Sequence, residues 1–587
     1  MCGIWGLITL NKQFTYNKSL YEAFMKIKQR GPDKSTFIDN SNYKIGFHRL
    51  AIMDTSIQGD QPFSHSYKMI DSGTGDTVLR TVYVIVNGEI YNYKEIVQSD
   101  EFKQKVNNFE YKMKSHSDCE IILPLFLNYG IDYLTKKLNG EFAFAIYDIY
   151  EDLKSGRINY NLYLARDRFG IRPLFYTMDN TDTTFIFSSE MKGLEGLIPD
   201  SKIYVFKPRT WLHVTGMMSN DETTTKFYYN PGMYYKIGNS SIVKTPDIDD
   251  VYKAIRRVFT NAVNSRLDSE REIGCLLSGG LDSSLVAAIA SRILRANGKT
   301  LRTFSIGMTD SPDSKYAKIV ADHIKSSHTN IELPENEWLD KLETIVGVTE
   351  TFDITTIRAS TGQYLVSKWI KDNTNIKVLL VGDGSDELTA GYLYFHKTPS
   401  PLESHLENIR LLEDIHFFDV LRCDRGIASN GIEARVPFLD HNFVDLYLSI
   451  DPELRVPIMH TYDDGHVGKC EKWLLRKAFE STNLLPTEVL WRAKCAFSDA
   501  VSAVAKSWYT IIQDKINKEM TDEYFEHNIK KYEGYLTPHT KEALYYHELY
   551  DKLYPNQYGM LAYYWLPKWC GDVKDPSART LDFCNEK

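Results

Sequence analysis

The stretch Ile273-Gly274-Cys275-Leu276-Leu277-Ser278-Gly279-Gly280-Leu281-Asp282-Ser283-Ser284, followed by the apolar run Leu285 to Ile293, decides the fold of the larger half of the chain. It reads as strand, glycine loop and helix. Two adjacent glycines let the backbone approach a ligand where a Cβ would collide. Ser278, Ser283 and Ser284 stand where they can cap the following helix, whose free N–H groups and dipole attract anions. The stretch is a phosphate cradle or, on the plainer reading, a serine-capped βα turn. It lacks the Gly-Lys-Ser/Thr of a P-loop and the third glycine of the dinucleotide fingerprint. Asp282 takes the lysine's place, and a carboxylate among phosphate-binding amides makes sense if Mg²⁺ lies between it and the phosphates.

Outward from this loop, strand and helix alternate. An amphipathic helix over Asp249–Val263 precedes it. After it come strand Leu301–Gly307, helix Ser314–Ile324, strand Thr329–Leu333, helices Trp338–Val348 and Gln363–Lys371, and strand Lys377–Val381. That order means a parallel sheet with right-handed crossovers and ligands at the carboxyl ends of its strands. A second glycine loop, Gly382-Asp383-Gly384-Ser385-Asp386-Glu387, stands at such an end. Beyond Gly391 the pattern is mostly helical.

Ahead of the helix the texture differs. Residues 216–248 are polar and weakly periodic and read as a linker, which separates a front domain, 2–215, from a back domain, 249–587. The front domain is rich in short strands, at Met1–Ile8, Lys44–Asp54, Thr81–Val86, Glu141–Tyr150, Asn161–Ala165, Leu174–Tyr176, Phe185–Phe187 and Ile203–Val214, with Gly59–Asp76 read as a polar loop. Many strands and few helices imply stacked antiparallel sheets flanked by helices. Pro124 is expected to kink the helix that begins near Ser117, or to delay its start.

Cys2 follows Met1 directly and is small enough for the initiator to be removed. Its thiol and its own α-amine, which titrates near ~8, would then sit on adjacent carbons, so that a nucleophile carries its own base. A buried first-strand cysteine is the alternative. Asn87-Gly88-Glu89 closes the strand Thr81–Val86, where an amide and a glycine N–H suit an oxyanion. The same dipeptide also makes plain tight turns. Asp118 caps a helix or meets a substrate ammonium.

Composition sets the outer limits. The 587 residues are too many for one core, and the 69 basic and 78 acidic side chains, net charge -9, form no dominant run of either sign. Neither a nucleic-acid footprint nor a polybasic membrane patch is visible, and no apolar run is long enough to span a membrane. The eight cysteines never form Cys-x-x-Cys, which argues against a zinc site or disulfide framework and for a reducing cytoplasm. Small-molecule chemistry is the expectation.

Taken together, Cys2, Arg30-Gly31-Pro32-Asp33, Arg49-Leu50-Ala51-Ile52-Met53-Asp54, Asn87-Gly88-Glu89-Ile90-Tyr91-Asn92, Ser278 to Ser284, Thr355 to Ser360, Gly391 to Lys397, Gly431 to Asp440 and Trp491-Arg492-Ala493-Lys494 resemble the glutamine-dependent asparagine synthetases over nearly the whole chain. The front motifs are similar to class II glutaminases. The loop at Ser278 resembles that of ATP pyrophosphatases, which split ATP into AMP and pyrophosphate.

The resemblance implies an α/β protein in two parts: an N-terminal α/β/β/α sandwich of the N-terminal nucleophile hydrolase type, and a parallel-sheet ATP pyrophosphatase domain with a helical C-terminal region. It implies glutamine, aspartate and ATP as substrates, Mg²⁺ as cofactor, and ammonia passing between the sites, and it is compatible with a homodimer. Cys2 would attack the glutamine amide, and Asn87 and Gly88 would hold the oxyanion. Arg49 would bind the substrate carboxylate and Asp118 its ammonium, with Leu50, Ala51, Ile52, Met53 and Glu89 around them.

In the back domain the resemblance assigns Leu276, Ser278, Gly279, Gly280, Asp282, Ser283, Ser284, Ile306, Val381 and Gly382 to ATP, and Asp282 and Asp386 to the metal. Lys494 would neutralise phosphate charge, and Arg358 would work near the acyl-adenylate. Three positions depart from the family pattern. Asp383 replaces a glutamate tied to forming and aminating the adenylate and is one methylene shorter, Val381 replaces a serine, and Cys495 replaces a glutamate. Other readings are a synthetase that amidates or cyclises another carboxylate, a non-catalytic nucleotide sensor, and a glutaminase joined to a phosphoribosyltransferase. Cys2 counts against the cyclising synthetase, and the Ser278 loop counts against the phosphoribosyltransferase.

Overall fold

A computed structural model describes residues 1–9, 18–71, 73, 75–106, 111–179, 184–215, 224–227, 247–462, 465, 467–494, 500–503 and 506–578. Most of the expected linker and Cys495 lie outside the described residues. The chain divides into two compact units, Met1–Asn230 and Pro231–Lys587.

The first unit holds two six-stranded sheets. One runs Tyr204–Val205 (β10), Phe175–Asp179 (β8), Thr184–Ser188 (β9), Gly3–Thr9 (β1), Tyr43–Arg49 (β3) and Lys34–Asp39 (β2) from edge to edge. The other runs Thr224–Phe227 (β12), Thr210–Thr215 (β11), Ile158–Arg166 (β7), Gly140–Asp152 (β6), Thr77–Ile90 (β5) and Phe63–Ile70 (β4). The pairings are antiparallel throughout.

Ile4, Ile8, Ile45 and Phe47 of one sheet pack against Ile85, Ala143, Ala145 and Tyr147 of the other in a shared core. The far face of the second sheet, with Val82, Val84, Val86, Phe142 and Phe144, packs on Ile122, Leu125 and Phe126 of helix Ile122–Lys137. Pro124 falls in the first turn of that helix, where its missing N–H costs nothing, after a 3-10 turn at Asp118–Ile121.

Two expectations for this unit are corrected. The Gly59–Asp76 loop contains β4, an edge strand whose exposed Ser66 and Lys68 break the apolar run and hide its alternation. The single strand Ile203–Val214 is β10 and β11 in different sheets. Pro208 and Arg209, the latter at φ 55°, turn the chain between them.

The second unit is built on five strands, Ser327–Glu332 (β15), Arg302–Gly307 (β14), Ile273–Leu276 (β13), Val378–Leu380 (β16) and Glu433–Arg435 (β17), all parallel and in that order across the sheet. The helix expected at Gln363–Lys371 starts much earlier, at Ile354, where Asp353 caps it by accepting from Thr356 N. The helix expected at Trp338–Val348 is two short ones, Glu335–Leu339 and Leu342–Thr349. No helix among the described residues is long and apolar enough to cross a membrane.

Candidate functional site

In the first unit Cys2 sits at the mouth of the sandwich, packed on the core between the sheets. Its Sγ is 3.5 Å from Leu50 N and 3.8 Å from Leu50 O, and its carbonyl accepts from Arg30 Nε at 3.0 Å. The loop after β3 is therefore folded over the thiol. Asp33 steadies it by accepting from Ala51 N at 2.9 Å. Leu50, Ala51 and Ile52 are buried here, and Met53 is half-buried. Met1 is fully buried, with its sulfur beside Arg30 and Arg172.

The pleat of β5 alternates. Val82, Val84 and Val86 face helix Ile122–Lys137 while Ile85 faces the other sheet, so Asn87 shares the face of Ile85, toward the core on which Cys2 packs. Asn87 is wholly buried, and neither its Oδ1 nor its Nδ2 has a hydrogen-bond partner. An orphaned buried amide costs on the order of 1–3 kcal/mol, so the fold carries it for something other than stability. At Gly88 a Cβ would lie 2.1 Å from Glu141 O, so only glycine lets β5 and β6 pair this closely. Asp118 is buried and accepts from Ile90 N at 2.5 Å; Glu89 is buried nearby on β5.

Arg49 is held by the loop that follows its strand. Its terminal nitrogens donate to Ser56 O at 2.7 Å, to Asp60 Oδ1 at 2.6 Å and to Asp54 O, which ties its guanidinium to the loop 54–60.

In the second unit the carboxyl ends of β13, β14 and β16 open into a cavity of about 240 Å³. Leu276, Ser278, Gly280, Asp282, Ser283, Ile306, Arg358, Val381, Gly382, Asp383, Asp386 and Lys494 all line it. Gly279 and Ser284 do not. Gly279 lies against Tyr316 and Ala317, and Ser284 is buried beneath the loop.

The helix Leu281–Ala296 has Gly280 as its N-cap and no side chain capping it. The serines instead bond within the loop, Ser278 N to Ser283 Oγ at 3.2 Å and Gly280 N to Ser278 Oγ at 3.3 Å. That corrects the serine-cap reading and leaves the helix end uncapped by any side chain, which suits an anion.

The charges in the cavity pair with one another. Lys472 Nζ lies 2.6 Å from Asp282 Oδ2 and 2.5 Å from Asp386 Oδ1; Lys494 Nζ lies 2.6 Å from Asp386 Oδ2 and 3.9 Å from Asp282 Oδ2. Ser385 Oγ donates to Asp282 Oδ1 at 2.7 Å. Burial alone would raise the Asp386 pKa, but Lys472 and Lys494 hold it well below the carboxylate range. Burial likewise disfavours charge on Lys494, and Asp386 and Asp282 more than offset it.

Sequence reasoning missed Lys472. It opens an unremarkable amphipathic helix and belongs to no motif, but it is fully buried, and Gly391 makes room for it: a Cβ there would lie 2.0 Å from Lys472 Cε. One nitrogen touching two carboxylates marks a point where a cation can be shared. Among the described residues no cluster of three or more acidic, His or Cys side chains could hold a metal. Mg²⁺ commonly takes one or two carboxylates and completes its shell with phosphate oxygens and water, so Asp282 and Asp386 fit it.

Other residues on the cavity wall were also missed. Arg492 donates to Gly279 O at 3.1 Å and to Asp313 Oδ1 at 3.0 Å. Tyr392 bridges Glu387 and Asp419. Gln363 Nε2 donates to Asp383 Oδ1 at 3.1 Å. Arg358 lines the cavity, but its guanidinium is committed to two carboxylates, Glu542 at 2.9 and 2.5 Å and Asp575 at 2.9 and 2.8 Å. It fastens the C-terminal segment to helix Ile354–Asn373.

A cysteine at position 2 packed on the same core toward which an orphaned amide points in an antiparallel sandwich, joined on one chain to a parallel sheet with a glycine loop at its carboxyl ends, defines an amidotransferase-type architecture. The model of the glutamine amidotransferase domain matches residues 1–237, and that of asparagine synthase matches 254–414 and 402–569. The chain is 40% identical over 598 residues to the glutamine-hydrolysing asparagine synthetase of Gallus gallus, and 39% identical over 597 residues to that of Homo sapiens. Each match covers 99% of this chain and 98% of the relative. The chain belongs to the asparagine synthase family.

Proposed function

We propose that this protein makes asparagine from aspartate, with ATP driving the reaction and glutamine supplying the nitrogen. The observation that carries the reading is the likeness over 99% of the chain to enzymes named for that activity. The two sites supply chemistry that fits it. Residues 2–215 act as the glutaminase and 249–587 as the synthetase.

Removal of Met1 frees the Cys2 amine to take the thiol proton as the sulfur attacks the glutamine amide carbon. The oxygen of that amide becomes an anion, and the Asn87 Nδ2 and the Gly88 N–H receive it. Asp118 meets the substrate ammonium, and Arg49 its carboxylate, exchanging part of its hold on Asp60. Collapse of the tetrahedral species releases ammonia, and water then cleaves the thioester to give glutamate.

In the second unit the β-carboxylate of aspartate attacks the α-phosphorus of ATP and pyrophosphate leaves, giving β-aspartyl-AMP. The loop Ser278–Ser284 and the end of helix Leu281–Ala296 bind the phosphates. Leu276, Ile306, Val381 and Gly382 line the nucleotide's place. As the phosphates enter, Lys472 and Lys494 turn from carboxylates to phosphate oxygens, which frees Asp282 and Asp386 for Mg²⁺. Held by Asp282 and Asp386, Mg²⁺ would supply neutralisation of the phosphate charge. Ammonia then displaces AMP.

The six cysteines among the described residues form no disulfide, which a reducing cytoplasm would favour. The test is incubation with ATP, Mg²⁺ and aspartate plus glutamine or ammonia, with products identified by mass. Asparagine, AMP and pyrophosphate in equal amounts are expected. AMP formed with another carboxylate but not with aspartate would assign the chain to a different amidating or cyclising enzyme, and no AMP at all would make it a sensor.

A further inference from the structure

The shorter acid at position 383 is not alone. Its Oδ1 accepts from Gln363 Nε2 at 3.1 Å, and both residues line the cavity. Gln363 is 7% exposed, on helix Ile354–Asn373, and its Oε1 has no hydrogen-bond partner. One end of the amide thus grips the carboxylate while the other offers an unused acceptor, buried at the cavity wall. A buried carbonyl oxygen without a donor is costly and calls for an N–H or O–H from a ligand. Asp383 is itself half-buried, and burial raises its pKa, with Arg422 and the Gln363 N–H pulling partly back, so it suits accepting a proton.

We infer that Gln363 is a positioning residue for amide formation: its N–H₂ holds the short Asp383 carboxylate at the reacting carbon, and its Oε1 accepts an N–H of the attacking ammonia. This rests on the function proposed above. In the step, the ammonia nitrogen bonds to the acyl carbon, the bond from that carbon to the phosphate oxygen breaks with AMP leaving, and one N–H proton passes to the Asp383 carboxylate. Two acceptors, Asp383 Oδ and Gln363 Oε1, fix the direction of the nitrogen lone pair. A longer acid would reach the carbon unaided; here the glutamine makes up the missing methylene.

The test is a double-mutant cycle of Gln363→Met and Asp383→Glu on the full-length enzyme. Methionine keeps the length and packing of the glutamine and removes both polar ends. Gln363→Met is expected to lower kcat for asparagine formation from added ammonia about 10-fold, less than the ~10²–10⁴-fold of a proton acceptor itself, because the glutamine only places that acceptor. Aspartate-dependent exchange of labelled pyrophosphate into ATP, which reports adenylate formation alone, is expected to stay within about twofold.

In the Asp383→Glu background the same substitution should cost less than about twofold, because the longer acid does not need the prop. Equal loss of exchange and amide formation would reduce Gln363 to a structural part, and a cost still near about 10-fold in the Asp383→Glu background would break the link to reach; either overturns the inference. Wild-type enzyme that makes no asparagine at all would instead overturn the function on which it rests.

Discussion

The two sites meet the same problem, negative charge on a reacting group, in opposite ways. The first is built from neutral groups: an orphaned Asn87 amide and the Gly88 backbone, with a thiol under the Leu50 loop. The second is built from full charges, two lysines and two aspartates locked together within 2.5–3.9 Å. On the proposed function the oxyanion in the first exists only in passing, so donors can wait unpaired at modest cost. Phosphate charge in the second is permanent, and its counter-charges would be ruinous to bury alone, so they pair with each other until a ligand trades places. On that reading one site is preorganised and the other exchanges partners.

The contrast breaks most sharply at Cys2. Cys2→Ala is expected to lower glutamine-dependent synthesis by about 10⁴-fold or more, as loss of a nucleophile does elsewhere, while ammonia-dependent synthesis stays within a small factor. Parallel assays with the two nitrogen donors measure it, and equal loss on both would mean the division between the units is wrong. Lys472→Met is the counterpart in the second unit. It removes the ammonium shared by Asp282 and Asp386, and a loss of about 10²–10³-fold is expected with either donor, read as pyrophosphate release.

Asn87→Leu sharpens the preorganisation side. Removing one oxyanion donor should cost glutamine hydrolysis about 10²-fold. Because the amide has no partner, its near-isosteric apolar replacement should leave the melting temperature unchanged or raise it. A clear drop in melting temperature would show that the amide serves the fold.

Legibility in sequence followed the same divide. Sites that depend on backbone geometry leave glycines and turns behind, so the Ser278 loop could be read directly, as could the parallel sheet from its alternation, whereas Asn87-Gly88-Glu89, expected to close a strand, lies inside Thr77–Ile90 and pairs with Glu141–Ala143. Sites that depend on long side chains meeting across the fold leave no spacing. Lys472 lies 190 positions from Asp282 and carries no motif, and its only trace is Gly391, whose missing Cβ lets the lysine pass. Gln363 escaped for the same reason, since its meaning lies in one hydrogen bond to Asp383. Arg49 and Arg358 could be picked out as cations but not by what holds them, because Asp60, Glu542 and Asp575 come from separate segments. Strand β4 was hidden because an edge strand carrying Ser64, Ser66 and Lys68 resembles a loop when only composition is read.

The smallest expected effect tests whether paired charge in the second unit costs stability, as the contrast requires. Asp313 lines the cavity and is bound by Arg492 at 3.0 Å, but burial outweighs that attraction and raises its pKa to about 6 from 3.8. The folded protein therefore binds this proton more tightly than the unfolded chain. Below about pH 4 both states hold it; between there and about pH 6 only the folded state does, so stability falls as pH rises through that window and levels off above it.

Asp313→Asn removes the titration. The stability difference between wild type and variant should shift against the wild type by on the order of 2–3 kcal/mol from pH 4 to pH 7, at about 1.36 kcal/mol per pKa unit. Urea denaturation of both proteins at several pH values in that range measures it. A shift of the opposite sign would mean that Arg492 overcomes the desolvation of Asp313, so that the charges flanking the phosphate cradle stabilise the fold even before any ligand arrives.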